Sequence, residues 1–118
     1  MTQQTMFLKN TETFAESLAR CGVKFHFASP ITPATDVMKR MAVILPQYGG
    51  KMLQMESELA VSSALAGAAC TGMLCATSSS GPGMTLMQEA ISFMCGAELP
   101  CLMLDSMRVG PGDGDILG

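Results

Sequence analysis

The thirty residues from Leu59 to Gln88 contain no charged side chain. They are rich in alanine, glycine and serine, and two carboxylates, Glu56 and Glu58, stand directly before them. A chain keeps so long a stretch uncharged when neighbouring elements or subunits bury it. A carboxylate at the edge of such a region is partly removed from water, which makes it a candidate for chemistry. The sequence therefore predicts a buried seam with a functional acid at its start.

The composition predicts one modest globular domain. With 118 residues, 48 % hydrophobic and 14 % charged, the chain has the balance of a folded protein and not of a disordered one. The net charge is −3 and the seven basic residues are scattered, which argues against nucleic acid or an anionic membrane as a partner. The N-terminus lacks a signal-peptide pattern, and polar residues dilute the apolar run Leu59–Ala76 too much for a membrane span. We therefore expect a cytoplasmic protein.

The cysteines and the single histidine predict no metal site on this chain. No cysteine pair has C-x2-C spacing, and an iron–sulfur run of four cysteines is absent. We expect the five cysteines to be reduced, buried side chains that pack as small hydrophobes. His26 lies in a predicted strand, on the face opposite Phe25 and Phe27, where a structural role is expected.

The apolar pattern predicts alternating strands and helices. The predicted strands are Val23–Ala28, Lys51–Met55, Met73–Thr77 and Pro100–Asp105. Repeated strand–helix units favour an α/β fold, an open parallel sheet with helices on both faces. We expect a single domain over residues 1–118, incomplete because the chain stops in a loop-like tail from about residue 108.

Two loops follow predicted strands at positions where open parallel sheets bind ligands. The first loop is Ser29–Pro33. Pro33 suits the first position of a helix, so Thr32 is the predicted N-cap. The second, Ser78–Gly83, has neither the ending of a phosphate-binding P-loop nor the spacing of a dinucleotide site. Ser79 also lacks the G-x-S-x-G turn of a serine hydrolase. Alone, this second loop indicates a tight turn.

Several ordered segments together resemble one known family. They are S-P-I-T-P-A-T at 29–35, Q-M-E-S-E-L-A at 54–60, A-G-A-A at 66–69, T-S-S-S-G-P-G-M-T-L-M-Q-E-A-I-S at 77–92, A-E-L-P at 97–100 and M-R-V-G-P-G at 107–112. This set resembles the N-terminal, thiamine diphosphate pyrimidine-binding domain of the alpha-type subunits of 2-oxoacid:ferredoxin oxidoreductases. The subunits that act on 2-oxoisovalerate or 2-oxoglutarate are the most similar. Such subunits continue further, so the resemblance implies about the first third of one.

The resemblance implies a thiamine diphosphate enzyme. The family decarboxylates a 2-oxoacid oxidatively, transfers the acyl group to coenzyme A and passes the electrons to ferredoxin. It implies that Mg²⁺ and the iron–sulfur clusters belong to partner chains, that the chain also self-associates, and that it is inactive alone. Gly112–Gly114 would open a magnesium–diphosphate motif, but no asparagine follows before Gly118, so a loop is expected there.

The resemblance also implies roles for individual residues. By alignment of the segments, Glu58 hydrogen-bonds the cofactor's pyrimidine ring, although spacing alone does not separate it from Glu56. Thr32 is implied on the substrate side, and Arg108 as the partner of the substrate carboxylate. Ser80 and Gly81 are implied to face the cofactor.

This sequence departs from the family at two places near the implied substrate site. Ser29 stands where an aromatic residue is usual, and Val109 where a glycine is usual. Two further interpretations stay open: a subunit of a non-oxidative 2-oxoacid decarboxylase, and a non-catalytic assembly module.

Overall fold

The computed structural model describes residues 5–108. The helices are α1 (Asn10–Arg20), α2 (Thr35–Ile44), α3 (Glu58–Ala69), α4 (Gly81–Leu86) and α5 (Gln88–Gly96), with a 3₁₀ turn at Leu45–Tyr48 after α2. The strands are β1 (Phe25–Ala28), β2 (Lys51–Gln54), β3 (Cys75–Ser79) and β4 (Leu102–Asp105). The predictions for Val109, for Gly112–Gly114 and for the tail after Arg108 lie outside the described residues.

The strands form a parallel sheet in the order β2-β1-β3-β4. From β1 the chain passes outward to β2, and it then returns across β1 to reach β3. This reversal places the carboxyl ends of β1 and β3 side by side, at the position where open parallel sheets bind ligands. The predicted parallel α/β sheet is confirmed.

Helices cover both faces of the sheet, as the alternating strand pattern predicts. On one face, α1 and α2 bury Ala19, Val37 and Met41 against strand residues. On the other face, α3, α4 and α5 bury Leu65 and Met87. Successive side chains of a strand point to opposite faces, and therefore each strand contributes to both cores.

The second predicted loop is shorter than expected. Ser78 and Ser79 belong to β3, because they pair with Leu104 and Asp105 of β4. The helix then begins at Gly81, with a proline in its first turn, and is interrupted at Met87. The segment after β3 therefore forms two helices, α4 and α5.

The predicted N-cap at Thr32 is wrong. The helix α2 begins at Thr35, and the residue before it is Ala34, whose carbonyl accepts the first bonds from Val37 and Met38. The carbonyl of Thr32 is instead taken up by side chains from other parts of the chain. A tertiary contact thus replaces the local cap.

The prediction that all five cysteines are buried is also wrong. Cys75 is buried, and Cys101 is partly buried. The exposed thiols are Cys21, Cys70 and Cys95. Each of these lies in or directly after the last turn of a helix, where the chain turns back towards solvent. Within residues 5–108, no helix is both long enough and apolar enough to cross a membrane.

Candidate functional site

The loop after β1 is held by side chains from the ends of two other strands. Ser80 Oγ donates a hydrogen bond of 3.0 Å to the Thr32 carbonyl oxygen, and Arg108 Nη1 donates one of 3.1 Å to the same oxygen. The structure thereby brings together three residues that the sequence singles out, Thr32, Ser80 and Arg108. They meet beside the carboxyl ends of β1 and β3.

The fold explains how residues so far apart in sequence reach one point. Ser80 directly follows β3 and is fully buried, so its hydroxyl faces the neighbouring loop and not solvent. The amide of Ser106 donates a 2.9 Å hydrogen bond to the Ser79 carbonyl, which extends the pairing beyond β4. That bond carries the segment leading to Arg108 alongside the end of β3.

Arg108 retains hydrogen-bonding capacity at this edge. Its side chain is partly buried, and among residues 5–108 only Nη1 is engaged by a protein acceptor. Within the described part of the chain, its Nε is buried without a partner. A guanidinium group presents its donors in a planar fork that matches a carboxylate. The position therefore suits recognition of a planar anionic group.

Glu58 is placed by the step from β2 into α3. Ser57 caps the helix by accepting a 3.3 Å hydrogen bond from the Ala60 amide, and Glu58 is the first helical residue. Its side chain is partly buried, whereas Glu56 is exposed. The difference in burial favours Glu58 over Glu56 as the functional acid.

Gly83 allows α4 to approach Glu58 closely. A Cβ atom at Gly83 would lie 2.9 Å from both Cγ and Oε1 of Glu58 and would overlap Ser79 Oγ. Only glycine leaves room for this arrangement. The Glu58 carboxylate, the bare backbone of α4 and the Ser79 hydroxyl therefore converge at one spot.

Ser79 is a buried hydroxyl without a protein partner. Only 2 % of the residue is exposed, and among residues 5–108 its Oγ has no hydrogen-bond partner. Thr77 lies two residues earlier on the same face of β3, and its Oγ1 is also buried without a hydrogen-bond partner among residues 5–108. An unpaired buried polar group is uncommon and calls for a specific reason.

His26 supports the site from the opposite face of the sheet. Its Nε2 lies 3.0 Å from Ser78 Oγ, which joins β1 to β3 beneath the strand ends. Burial lowers the pKa of His26 to about 4, so the imidazole is neutral at physiological pH. The expected structural role is consistent with this contact.

The remaining implied residue, Gly81, is the first residue of α4 and is partly exposed. It follows Ser80, which alone separates it from Ser79. The groups around Thr32 and Glu58 therefore join through the continuous segment from Ser79 to Gly83. In the described residues, no three histidine, cysteine, aspartate or glutamate side chains gather as a metal site.

Three of these contributors are not evident from the sequence. Gly83 and Ser79 matter because of a close approach between α4 and α3, which no local pattern encodes. The His26–Ser78 contact joins residues 52 positions apart. The sequence indicates this region through the run of serines and glycines at Ser78–Gly83, because small residues after a strand permit close backbone approach.

Comparison with known proteins identifies the family. Residues 16–116 match the family described as pyruvate flavodoxin/ferredoxin oxidoreductase, thiamine diphosphate-binding. The ketoisovalerate oxidoreductase subunit VorB of Methanothermobacter marburgensis is 42 % identical over 112 residues, 95 % of this chain and 32 % of the relative. The 2-oxoglutarate synthase subunit KorA of Methanocaldococcus jannaschii is 39 % identical over 108 residues, 92 % of this chain and 30 % of the relative.

A solved structure is also similar to this chain. The 2-oxoglutarate:ferredoxin oxidoreductase from Magnetococcus marinus, with 2-oxoglutarate, coenzyme A and succinyl-CoA bound, superposes with a TM-score of 0.80 at 39 % identity. The match covers 89 % of this chain and 18 % of that one. This chain spans about a third of the length of the curated relatives it matches. It belongs to the thiamine diphosphate-binding domain family of the pyruvate flavodoxin/ferredoxin oxidoreductases.

Proposed function

We propose that this chain supplies the pyrimidine-binding half of the active site of a thiamine diphosphate-dependent 2-oxoacid:ferredoxin oxidoreductase. The observation that carries the proposal is the partly buried carboxylate of Glu58 beside Gly83, in a chain that matches this family over residues 16–116. The reaction is the oxidative decarboxylation of a 2-oxoacid to an acyl-CoA and CO₂. Its substrate class follows the relatives, which are named for ketoisovalerate and 2-oxoglutarate.

The residues around Glu58 fit the pyrimidine half of this cofactor. An acid at the edge of a heteroaromatic ring can hydrogen-bond a ring nitrogen, and Glu58 provides one beside the bare backbone of Gly83. The unpaired Ser79 hydroxyl adds a polar group at the same spot. The fit concerns this half only, and we assign the Mg²⁺ and diphosphate to a partner chain.

Each residue then has a distinct task. When bound, thiamine diphosphate supplies the carbanion chemistry that decarboxylates 2-oxoacids. Glu58 holds a proton in a hydrogen bond between its carboxyl group and a nitrogen of the pyrimidine ring. Arg108 pairs with the substrate carboxylate, and the Thr32 loop forms the substrate side of the crevice. Ser80 fixes that loop, and Gly81 keeps the approach to the cofactor open.

Partner subunits complete the enzyme in this proposal. They carry the diphosphate and Mg²⁺ site and the iron–sulfur clusters that reduce ferredoxin, and coenzyme A binds to the assembled complex in the cytoplasm. An apolar groove of about 370 Å³ between α3 and α5 supports a partner contact, because it exposes Leu59, Leu86 and Phe93. The same surface is available for self-association. Without these partners, the chain has no activity.

The test combines the chain with its partner subunits and measures 2-oxoacid-dependent reduction of a viologen dye. We expect reduction that requires both thiamine diphosphate and coenzyme A, with acyl-CoA and CO₂ as products. Formation of an aldehyde and CO₂ without any electron acceptor would establish the non-oxidative decarboxylase instead. A purified complex without bound or bindable thiamine diphosphate would establish an assembly module.

A further inference from the structure

The hydroxyl of Ser79 and the carboxylate of Glu58 both lie beside Gly83, and neither has a hydrogen-bond partner among residues 5–108. Ser79 Oγ is buried and has no partner among residues 5–108. Over the same residues, the Glu58 carboxylate is engaged in no hydrogen bond or ion pair, although the side chain is partly buried. A donor without an acceptor and an acceptor without a donor thus lie close together.

The surroundings of Gly83 show that Ser79 and Glu58 lie near each other. A Cβ on Gly83 would overlap Ser79 Oγ and would lie 2.9 Å from Glu58 Oε1, so both oxygen atoms border the same small space. A serine side chain has a single heavy-atom torsion with three staggered positions, so its hydroxyl can turn towards the carboxyl group without movement of the backbone. The missing side chain at position 83 provides the space in which the two groups meet.

A ligand bound to Glu58 makes a hydrogen bond from Ser79 to its carboxyl group favourable. A carboxyl group has two oxygens, and one of them is occupied when the group hydrogen-bonds a ring nitrogen. The ligand also displaces the water that serves the second oxygen, and a buried oxygen without a donor is costly. Ser79 is placed to supply that donor. A serine with no such use would be more stable as alanine, because its unpaired hydroxyl carries a desolvation penalty.

We propose that Ser79 is a positioning residue that donates its hydroxyl hydrogen bond to the Glu58 carboxyl group and so holds it in the orientation that binds the pyrimidine ring. This role rests on the proposed function. Ser79 itself touches neither substrate nor reacting atoms in this account. The two neighbouring hydroxyls have other partners: Ser78 contacts His26, and Ser80 donates to the Thr32 carbonyl.

The experiment is a double-mutant cycle on thiamine diphosphate affinity in the assembled complex, measured by isothermal titration calorimetry. The variants are Ser79→Ala, Glu58→Ala and the two combined. We expect Ser79→Ala to weaken binding about tenfold when Glu58 is present, the effect of losing one hydrogen bond. In the Glu58→Ala background, the same change is expected to alter the affinity less than twofold.

Turnover provides a second measurement. We expect Ser79→Ala to lower kcat about tenfold while the KM for the 2-oxoacid and the melting temperature stay unchanged. The matched control is Ser17→Ala, which removes an exposed hydroxyl bonded within α1 and leaves all three quantities unchanged.

The outcomes separate this role from the function on which it rests. Equal losses of affinity in both backgrounds, or a rise in KM with a lower melting temperature, would show that Ser79 only supports the fold. Unchanged affinity in Ser79→Ala would show that the hydroxyl has no role. Failure of the unmutated complex to bind thiamine diphosphate would overturn the proposed function and this role together.

Discussion

Ser80 Oγ donates a 3.0 Å hydrogen bond to the carbonyl oxygen of Thr32, 48 residues earlier in the chain. The bond joins the segments that follow β1 and β3, where the order of the sheet reverses. Open parallel sheets bind ligands at this position because the flanking loops diverge there. The position of the Thr32 loop therefore depends on two donors to one carbonyl oxygen, Ser80 and Arg108.

Replacing Ser80 with alanine should loosen the Thr32 loop. The Thr32 carbonyl keeps its bond from Arg108 but loses the one from Ser80, and we expect a loss of about 1 kcal/mol in unfolding free energy. We also expect the KM for the 2-oxoacid to rise several-fold, measured by steady-state kinetics of the complex. An unchanged KM, alongside an unchanged Ser17→Ala control, would separate this loop from substrate binding.

Replacing Arg108 with lysine should weaken substrate recognition while keeping the positive charge. Lysine lacks the planar fork that pairs with a carboxylate through two hydrogen bonds. We expect the KM for the 2-oxoacid to rise about tenfold or more, corresponding to about 1.4 kcal/mol of lost binding. A KM within twofold of the original enzyme would mean that Arg108 only anchors the Thr32 loop.

Gly83 and Gly67 form a matched pair of glycines on neighbouring helices. Alanine at position 83 would collide with Ser79 and press on Glu58, so we expect a loss of about 1–3 kcal/mol in stability and of thiamine diphosphate binding. Gly67 lies inside α3 with nothing within 4 Å of an added Cβ. Alanine there should stabilise the protein by about 0.5–1 kcal/mol, because it favours the helix.

Urea unfolding of the two variants measures this difference directly. Equal effects at both positions would contradict the close approach of α4 to Glu58. Normal cofactor binding by Gly83→Ala would show that the space above Gly83 is not used.

His26 should make stability depend on pH. Its pKa is lowered from 6.5 to about 4 in the folded state, because burial disfavours the charged imidazolium. Below pH 6.5 the unfolded chain takes up the proton more readily than the folded one, so stability falls as the pH falls towards 4. The full loss is about 3 kcal/mol, from 1.36 kcal/mol per unit of pKa difference.

The measurement is urea unfolding at several values between pH 7.5 and 4.5, compared with His26→Gln. The difference between the two proteins isolates the histidine from the carboxylates that also titrate in this range. We expect the histidine-containing protein to lose more stability on acidification. Parallel curves would contradict a buried neutral His26.

The sequence predicts the sheet well because its evidence is local. Short apolar strands such as Phe25–Ala28 and the helices between them are read from the pattern of side chains alone. Glu56 and Glu58 both stand out because they border a long uncharged stretch, and the family resemblance favours Glu58. The predicted cap at Thr32 is wrong because α2 begins at Thr35, after Ala34. The Thr32 carbonyl accepts bonds from Ser80 and Arg108 instead, and contacts so distant in sequence are invisible to a local rule.

The same limit applies to the neighbourhood of Glu58. No local pattern in the sequence distinguishes Ser79 from Ser78 or Ser80, and the family resemblance singles out only Ser80, yet the three hydroxyls face three different surroundings. Ser78 meets His26, Ser79 faces Glu58, and Ser80 meets Thr32. The partner of each hydroxyl depends on the alternation of side chains along β3 and on the packing of α4, and both are properties of the folded chain.

The most direct test of the central claim is the turnover of the assembled complex carrying Glu58→Gln. Glutamine keeps the size of the side chain but cannot hold the acid proton, so the account predicts that 2-oxoacid-dependent viologen reduction is abolished while assembly remains intact. Glu56→Gln serves as the control, because Glu56 is exposed, and should retain activity. Activity of Glu58→Gln equal to that of the original complex would contradict the account.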